Sequence, residues 1–250
     1  MRSLVERTTH RVVMKRRLPP PFPPVAFYVS SEGGLRYLRR SVAQADPALL
    51  RAATELVRPG DVVWDIGANV GLFSFAAAAL AGGGGQVVAV EADTWLTDLL
   101  RRSARLDGPA RAPVTVLPVA VSNEVGISAF HVARRARATS YLDGLGTTQT
   151  GGVRETQVVP TVTLDWLAGH FPPPDVLKID VEGAELLVLQ GGPEVLARRP
   201  RLVCEVLDAS SGRVGALLGA CGYQFFDATH DRRSRAPVSK PPDLTLALPR

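Results

Sequence analysis

Short apolar runs rich in β-branched residues alternate along this chain with longer segments whose apolar positions recur at helical spacing. This alternation predicts strands and helices in turn, and such a chain forms a parallel sheet with helices on both faces. The elements predicted for the first half are helix 47–57, strand 61–66, helix 70–81, strand 86–91, helix 94–106 and strand 113–117. We therefore predict an α/β fold with a Rossmann-like, doubly wound and mostly parallel sheet.

The second half keeps the alternation and adds extended segments. The elements predicted there are extended segments at 127–132 and 156–164, helix 165–171, strand 176–179, helix 184–190, strand 201–207 and helix 211–221. Two further apolar runs, 222–230 and 243–249, flank a basic connection. They predict a C-terminal antiparallel hairpin at the edge of the sheet.

The stretch 133–155 is rich in Gly, Thr and Arg and matches neither period. Long loops inside a compact domain are usually functional, and disorder is the alternative. Because this stretch lies between segments that should border a ligand site, we interpret it as a lid over the substrate. The predicted organisation is a basic, proline-containing N-terminal arm at 1–45 and a single domain at 46–250 with this inserted loop.

Composition limits the classes of protein. The chain has 250 residues, 46% of them hydrophobic, which is enough for the core of one domain. No apolar stretch reaches the roughly 18–20 residues of a membrane span, and the N-terminus lacks the apolar core of a signal peptide, so we expect a cytoplasmic protein. Two cysteines, Cys204 and Cys221, are too few for a disulfide framework, a metal cluster or an iron–sulfur site.

The net charge of +5 is unevenly distributed. Residues 1–40 contain nine Arg or Lys and two Glu, so this arm carries +7 and the remainder −2. A basic arm can bind nucleic acid or an acidic partner. We favour a solvated, partly disordered lead-in, because a proline run interrupts the arm at 19–24.

The most informative motif is DVVWDIGANVGLF at 61–73. Its apolar strand ends at Asp65, turns through Gly67, Asn69 and Gly71, and enters an apolar helix. A strand, a glycine turn and a helix in this order form a nucleoside-cofactor pocket at the edge of a parallel sheet. Glycine has no Cβ, so a ligand can lie directly against the main chain.

The same motif distinguishes between cofactors. Dinucleotide-binding loops use GxGxxG to seat a pyrophosphate on the helix N-terminus. Here Asn69 replaces the middle glycine, and the Asp65 carboxylate suits an ammonium group better than a pyrophosphate. S-adenosylmethionine has no phosphate and presents an ammonium, a carboxylate and a sulfonium, so we predict it as the cofactor.

Two later strands also end in acidic residues. Glu91, at the end of the second strand, is placed to accept hydrogen bonds from both ribose hydroxyls, although a surface Glu at a helix start is the alternative. The segment DVLKIDVEGAELLVLQGG at 175–192 is the third strand that ends in an acidic residue and is followed by a turn and a helix. Its Asp180 and Glu182 should face the crevice beyond the carboxyl ends of the strands.

With these motifs placed, the chain resembles the FkbM family of S-adenosylmethionine-dependent methyltransferases over about residues 55–207. The matching residues are DIGANVG at 65–71, Glu91, VTLDWL at 162–167, KIDVEGAELLVLQGG at 178–192 and Glu205 in the final strand. The resemblance implies a class I methyltransferase fold and O-methylation, often of sugars or other scaffolds in natural-product biosynthesis. A Ser-containing segment of the family is matched more weakly by 138–142.

The resemblance also implies roles for individual residues. It implies cofactor contacts from Asp65, Gly67, Asn69 and Gly71, ribose contacts from Glu91 and an active-site position for Asp180. We add Ser122, in the polar turn that follows the strand at 113–117, as a candidate cofactor contact.

Methyl transfer from a sulfonium to a hydroxyl needs a positioned acceptor and a base, and the base contributes about 10²- to 10⁴-fold. Asp180 is the first candidate base, Glu182 the second and His131 the third; alternatively, Asp180 caps the following helix. Lys178 lies in an apolar strand and should pair with Asp180 or Glu205, or reach the crevice. A divalent ion held by Asp180, Glu205 and Asp208 would be a metal-assisted alternative, but we expect no metal.

Three other functions remain open at this stage. A nicotinamide-dependent oxidoreductase could use Glu91 on a ribose. A nucleic-acid methyltransferase could use the basic arm, but the chain has Asp-Val-Glu-Gly at 180–183 where base-methylating enzymes would place an Asn/Asp-Pro-Pro-aromatic turn. The third alternative is a cofactor binder without activity. We favour a small-molecule hydroxyl acceptor over nucleic acid.

Overall fold

The computed structural model describes residues 12–39, 41–134, 137–144 and 152–250. Its strands are β1 (Val13–Arg17), β2 (Ala26–Ser30), β3 (Val62–Ile66), β4 (Gln86–Val90), β5 (Val114–Leu117), β6 (Ala120–Val121), β7 (Gly126–Ala133), β8 (Tyr141–Leu142), β9 (Val153–Val162), β10 (Val176–Ile179), β11 (Arg201–Glu205), β12 (Tyr223–Asp227), β13 (Pro237–Val238) and β14 (Leu244–Pro249). Its α-helices are α1 (Pro47–Leu56), α2 (Leu72–Ala81), α3 (Thr94–Ala104), α4 (Leu164–Ala168), α5 (Glu185–Gln190), α6 (Pro193–Ala197) and α7 (Asp208–Ala220).

The central sheet has eight strands in the order β13-β12-β14-β11-β10-β3-β4-β5. The five strands from β11 to β5 are parallel, and β14 is antiparallel to both β11 and β12. The predicted fold class, with its C-terminal antiparallel hairpin, is confirmed. From β3 the chain winds outward through β4 and β5, then returns to β10 on the other side of β3. This reversal opens a crevice at the carboxyl ends of β3 and β10.

The apolar character of α2 reflects its position in the core. Nine of its ten residues are buried, and Phe75 stacks on Phe27 of β2 with ring centroids 5.6 Å apart. A helix that is apolar all round needs neighbours on every side. Here they include α1, β3, β4 and β5.

Two boundaries near the last parallel strand differ from the prediction. The strand predicted to end at 207 ends at Glu205, and the helix predicted from 211 begins at Asp208. The Ala-Ser-Ser-Gly run at 209–212 resembles a loop in sequence. In the structure it forms the first turns of α7, with Asp208 in the first turn, where a carboxylate is favourable.

Residues 12–39 belong to the folded unit, whereas the sequence favoured a solvated, partly disordered lead-in over 1–40. Strands β1 and β2 pair antiparallel, and the Tyr28 amide donates to Ser103 Oγ of α3 at 2.8 Å. The buried side chains of this segment include Leu18, Phe22, Phe27 and Val29. These apolar residues are the physical reason for the difference, because they complete the core beside α2 and α3. Residues 1–11 lie outside the described part of the chain.

A second, four-stranded sheet has the order β6-β9-β7-β8. Its inner face carries Phe130, Val132, Leu142 and Val159, which form a small core with Ala92 and Ala120. Part of the predicted lid belongs to this sheet, because β8 and the start of β9 fall within 133–155. Residues 135–136 and 145–151 of that loop lie outside the described residues.

None of the helices in the described ranges combines the length and apolar character needed to cross a lipid bilayer.

Candidate cofactor and acceptor site

A cavity of about 270 Å³ lies at the carboxyl ends of β3, β4 and β10, between the central sheet and the second sheet. Its wall includes Gly67, Asn69, Glu91, Asp180 and Glu205. The three strand-end motifs of the sequence therefore converge on one cavity. Such a crevice is where open α/β sheets bind their ligands.

Glycine is required at two points of the turn after β3. Gly67 has φ +75°, and a Cβ there would overlap the carbonyl oxygen of Asp180. Gly71 has φ +89° and directly precedes α2, where a Cβ would meet Phe75 and Leu100. Gly67 lines the cavity, whereas Gly71 allows the turn to pack closely on the helices.

Asp65, at the end of β3, is fully buried. Its carboxylate accepts a hydrogen bond from Ser74 Oγ at 2.5 Å and lies 3.0 Å from Lys178 Nζ. It is not among the residues that line the cavity. Within the described residues, this carboxylate therefore has protein partners and holds Lys178.

Lys178 connects the glycine turn to Asp180 on the cavity wall. Its ammonium donates to the carbonyl of Gly67 and lies 3.5 Å from the carboxylate of Asp180. Burial alone would lower the pKa of Lys178, but the carboxylates of Asp65 and Asp180 outweigh burial and raise it. The buried lysine is therefore charged, and the carboxylates of Asp65 and Asp180 compensate its charge.

Glu91 has both carboxylate oxygens held by backbone amides. The Asn69 amide donates to Oε2 at 2.8 Å and the Asp93 amide donates to Oε1 at 2.9 Å. Burial raises the pKa of Glu91 to about 7, although the two amides oppose the shift. The result is an oriented acceptor group in the cavity wall.

Asn69 ties the glycine turn to the N-terminal segment. It has φ +52°, and its Nδ2 donates to the carbonyl oxygen of Gly33 at 3.0 Å. The cavity wall around the glycine turn therefore includes a contact from residues that precede the first motif.

Several carboxyl groups lie together on the cavity wall. Asp180 and Glu205 stand at the ends of the neighbouring strands β10 and β11. Desolvation would raise the pKa of Asp180, but Lys178 and the hydrogen bond from Glu205 lower it. Glu182 has φ +52°, and desolvation together with Asp180 raises its pKa to about 7. Arg36 also lines the cavity, and its Nη1 donates to Asp46 at 2.9 Å.

Asp180 does not cap the following helix. The N-cap residue of α5 is Ala184, and the carboxylate of Glu185 accepts the amides of Val181 and Gly183. The capping alternative is therefore wrong.

Residues 65–225 match the methyltransferase FkbM domain. The chain belongs to this family. The cofactor of this FkbM domain is S-adenosylmethionine, and the wall of the cavity suits it. The oriented Glu91 carboxylate can accept from ribose hydroxyls, and the main chain at Gly67 forms part of the cavity wall. The predicted family and cofactor are confirmed.

Relatives of the FkbM domain include enzymes with named acceptors. The chain is 29% identical to the hexuronic acid methyltransferase AglP of Haloferax volcanii over 162 residues, which make up 63% of this chain and 61% of that protein. It thus spans about three fifths of the length of the curated relative that it matches.

Solved structures similar to this FkbM domain have low sequence identity. The FkbM methyltransferase of Methylobacillus flagellatus is 14% identical, with a TM-score of 0.48 over 82% of this chain and 59% of that chain. An S-adenosylmethionine-dependent O-methyltransferase of Thermotoga maritima is 12% identical, with a TM-score of 0.45 over 90% of this chain and 73% of that chain.

Besides Asp65 and Gly71, three further candidate residues of the FkbM domain are not part of the cavity wall. The ring nitrogens of His131 contact Thr156 Oγ1 at 3.0 Å and Asp143 Oδ1 at 3.1 Å, on the outer side of the second sheet. Ser122 Oγ bonds to the side chain of Asn123. Asp208 is exposed and pairs with Lys240, so it does not join Asp180 and Glu205.

Arg137 is a site residue that the sequence analysis missed. It lines the cavity and is almost fully buried, with Nη1 donating to both carboxylate oxygens of Asp93 at 2.8 and 2.6 Å. Its Nε donates to Glu32 at 3.1 Å. In sequence it is one of several arginines in a loop, and its partners are 44 and 105 positions away. No local pattern distinguishes it.

Proposed function

We propose that this FkbM domain methylates a hydroxyl group on a small polar molecule, of the sugar or sugar-bearing type, with Asp180 as the general base. S-adenosylmethionine supplies an already activated methyl group. The tasks left to the chain are to hold the acceptor, to exclude water and to accept the hydroxyl proton.

The observation that carries the proposal is the position and ionisation state of the Asp180 carboxyl group. Its carboxyl group lies on the cavity wall, has a lowered pKa and is next to the Lys178 ammonium. An ionised carboxylate can accept the proton that a hydroxyl loses, whereas a protonated one cannot. Glu91 is a different carboxyl group on the wall of the same cavity, so cofactor binding and proton transfer have separate groups.

The polar groups around Asp180 support a polyol as the acceptor. Arg36 offers donors, and the carboxyl groups of Glu182 and Glu205 offer acceptors, on one wall. Adjacent hydroxyls of a sugar can both donate and accept, so they match such a mixed set. The relative from Haloferax volcanii, which is named for a hexuronic acid, supports the same class. His131 and Ser122 are not part of this proposal.

The test is a methyl-transfer assay with labelled S-adenosylmethionine and a panel of methyl glycosides that includes a glucuronoside. We expect Asp180→Asn to lower kcat by about 10²- to 10⁴-fold while affinity for S-adenosylhomocysteine stays within a few-fold. Asp98→Asn, the same change on the exposed side of α3, is the matched control and should leave both unchanged.

Two results would contradict the assignment. Equal losses of turnover and product affinity in Asp180→Asn would make Asp180 a cofactor-positioning residue. Unchanged turnover would remove it from the mechanism.

A further inference from the structure

Two carboxyl groups meet where neighbouring parallel strands end. Asp180 directly follows β10, and Glu205 is the last residue of β11, whose register pairs Ile179 with Cys204. The register places the two carboxyl groups at neighbouring strand ends, and both residues line the same two cavities. Adjacent like charges repel, which favours a proton on one member of the pair, and that proton can be shared as a hydrogen bond.

The surrounding charges decide where that proton resides. The ammonium of Lys178 lies 3.5 Å from the carboxylate of Asp180. Lys178 also pairs with Asp65, which fixes it on the Asp180 side of the pair. A cation this close favours the ionised form of its neighbour, so Asp180 is the carboxylate and Glu205 is the carboxylic acid.

The pair also forms a wall between two cavities. Asp180 and Glu205 both line the cofactor cavity and a second cavity of about 130 Å³. The second cavity is also lined by Asp46 and Asp243, and Arg36 lines both cavities. Glu205 is partly open to solvent, so its carboxyl group is only partly desolvated and can exchange a proton with water, while only a quarter of the Asp180 side chain is exposed.

We infer that Glu205 is the positioning residue of the reaction: its protonated carboxyl group donates to Asp180 and holds that carboxylate towards the acceptor. The inference rests on the proposed function. When the hydroxyl oxygen gains the methyl group, its proton passes to Asp180 and later to water. The proton on Glu205 is not consumed, so the pair starts each turnover in the same state.

A pH dependence follows from this arrangement. Desolvation and the Asp180 carboxylate raise the pKa of Glu205 to about 9. Above that pH two like charges would adjoin and the hydrogen bond would be lost, so activity should fall. The charged or titratable groups that face Glu205 are Asp180, Lys178, Glu182, Arg36, Asp46 and Asp243.

The first measurement needs no acceptor. Infrared spectra of the full chain at about pH 8, where groups with a pKa near 7 are mostly ionised, should contain the C=O band of a protonated carboxyl group. We expect Glu205→Gln to remove this band and the exposed control Glu124→Gln to retain it. Asp180→Asn should also remove it, because Glu205 then ionises at lower pH. Persistence of the band in Glu205→Gln would overturn the inference, whatever the activity.

The second measurement is the pH profile of turnover. Glu205→Gln keeps a neutral donor that cannot ionise, so the alkaline decline in kcat should disappear, whatever the kcat of this variant at neutral pH. Glu205→Leu removes the donor and should lower kcat at least tenfold, with S-adenosylhomocysteine binding as the check that the variant is folded. An alkaline decline identical in the wild type and Glu205→Gln would overturn the inference. A wild type that shows the infrared band but methylates nothing would overturn the proposed function only.

Discussion

Lys178 and Asp65 occupy paired positions on adjacent parallel strands, and their side chains form an ion pair at 3.0 Å in the core. Both are almost entirely removed from solvent. The ammonium holds the carbonyl oxygen of Gly67 on one side and Asp180 on the other. One buried pair thus sets the relative positions of the cofactor turn and the proposed base.

Removal of the lysine should therefore be costly. Lys178→Met leaves Asp65 buried without its cation, and we expect the free energy of unfolding to fall by about 3–5 kcal/mol. The exposed pair of Lys240 and Asp208 is the control, and Lys240→Met should leave the free energy of unfolding nearly unchanged. Urea denaturation measures both. The double variant Lys178→Met with Asp65→Asn should recover part of the loss, and no recovery would contradict this account.

Two glycines with similar positive φ provide a test of the cofactor turn. Gly67 and Gly82 have φ of +75° and +65°, but of these two only Gly67 would place a Cβ against another main chain, at Asp180. Gly82 has ψ −173°, so Gly82→Ala should cost about 1–3 kcal/mol from backbone strain alone. Gly67→Ala should cost clearly more and also weaken S-adenosylhomocysteine binding. If Gly67→Ala and Gly82→Ala lower the stability in denaturation and the S-adenosylhomocysteine affinity in calorimetry by the same amounts, the close approach of Gly67 to Asp180 has no energetic consequence.

The sequence predicted those parts of the fold and site that depend on periodicity and strand-end position. The strands at 86–91 and 176–179 and the residues Glu91 and Asp180 could be found because a parallel sheet brings the carboxyl ends of its strands together. The contacts of Asp65 could not be predicted, because the sequence does not show whether a strand-end carboxylate faces a ligand or a lysine on the next strand.

Contacts between distant segments were beyond the sequence analysis. Arg36 lies in a segment interpreted as a solvated arm, and the cavity brings it beside Asp180 and Glu205. The sequence also did not show which side chains of a short strand face the core. His131 was a candidate base because it adjoins the loop, but the strand's alternation turns its side chain outward while Phe130 and Val132 face the core.

The ionisation of Glu91 should be coupled to cofactor binding. Burial raises its pKa to about 7, and ribose hydroxyls donate to a carboxylate better than to a carboxylic acid. The bound state should therefore favour the ionised form, so affinity for S-adenosylhomocysteine should rise as pH increases through about 7, with release of a proton. Calorimetry in buffers of different ionisation enthalpy measures that release.

Matched variants identify the source of the proton. Glu91→Gln should abolish the release and lower affinity. Glu182→Gln removes a carboxyl group with a similar pKa on the wall of the same cavity and should preserve most of the release. Undiminished release in Glu91→Gln would assign the proton to another group.

The stability of the cofactor-free protein should show the converse pH dependence. A carboxyl group with a folded-state pKa of about 7 and an unfolded value near 4.5 binds its proton more tightly when folded. The free energy of unfolding should then decrease as pH rises from about 4.5 to 7, and Glu91→Gln should flatten part of this decrease. Denaturation series at several pH values measure the slope, and the same slope in the variant would contradict the assignment.

Arg137 joins three segments that are distant in sequence: it bonds Asp93 after β4 and Glu32 near the N-terminus while it lies in the loop after β7. Arg154 of β9 also donates to Glu32, at 2.8 Å. Because Arg137 lines the cofactor cavity, this cluster should hold residues 137–142 in place as part of the wall.

Arg137→Met leaves two buried carboxylates without their shared cation. We expect faster hydrogen exchange at 137–144 and faster dissociation of S-adenosylhomocysteine. Arg134→Met, an exposed arginine three positions earlier, is the matched control. Unchanged exchange at 137–144 in Arg137→Met would show that the small core around Phe130 and Leu142 alone fixes this wall, since those side chains pack together without the arginine.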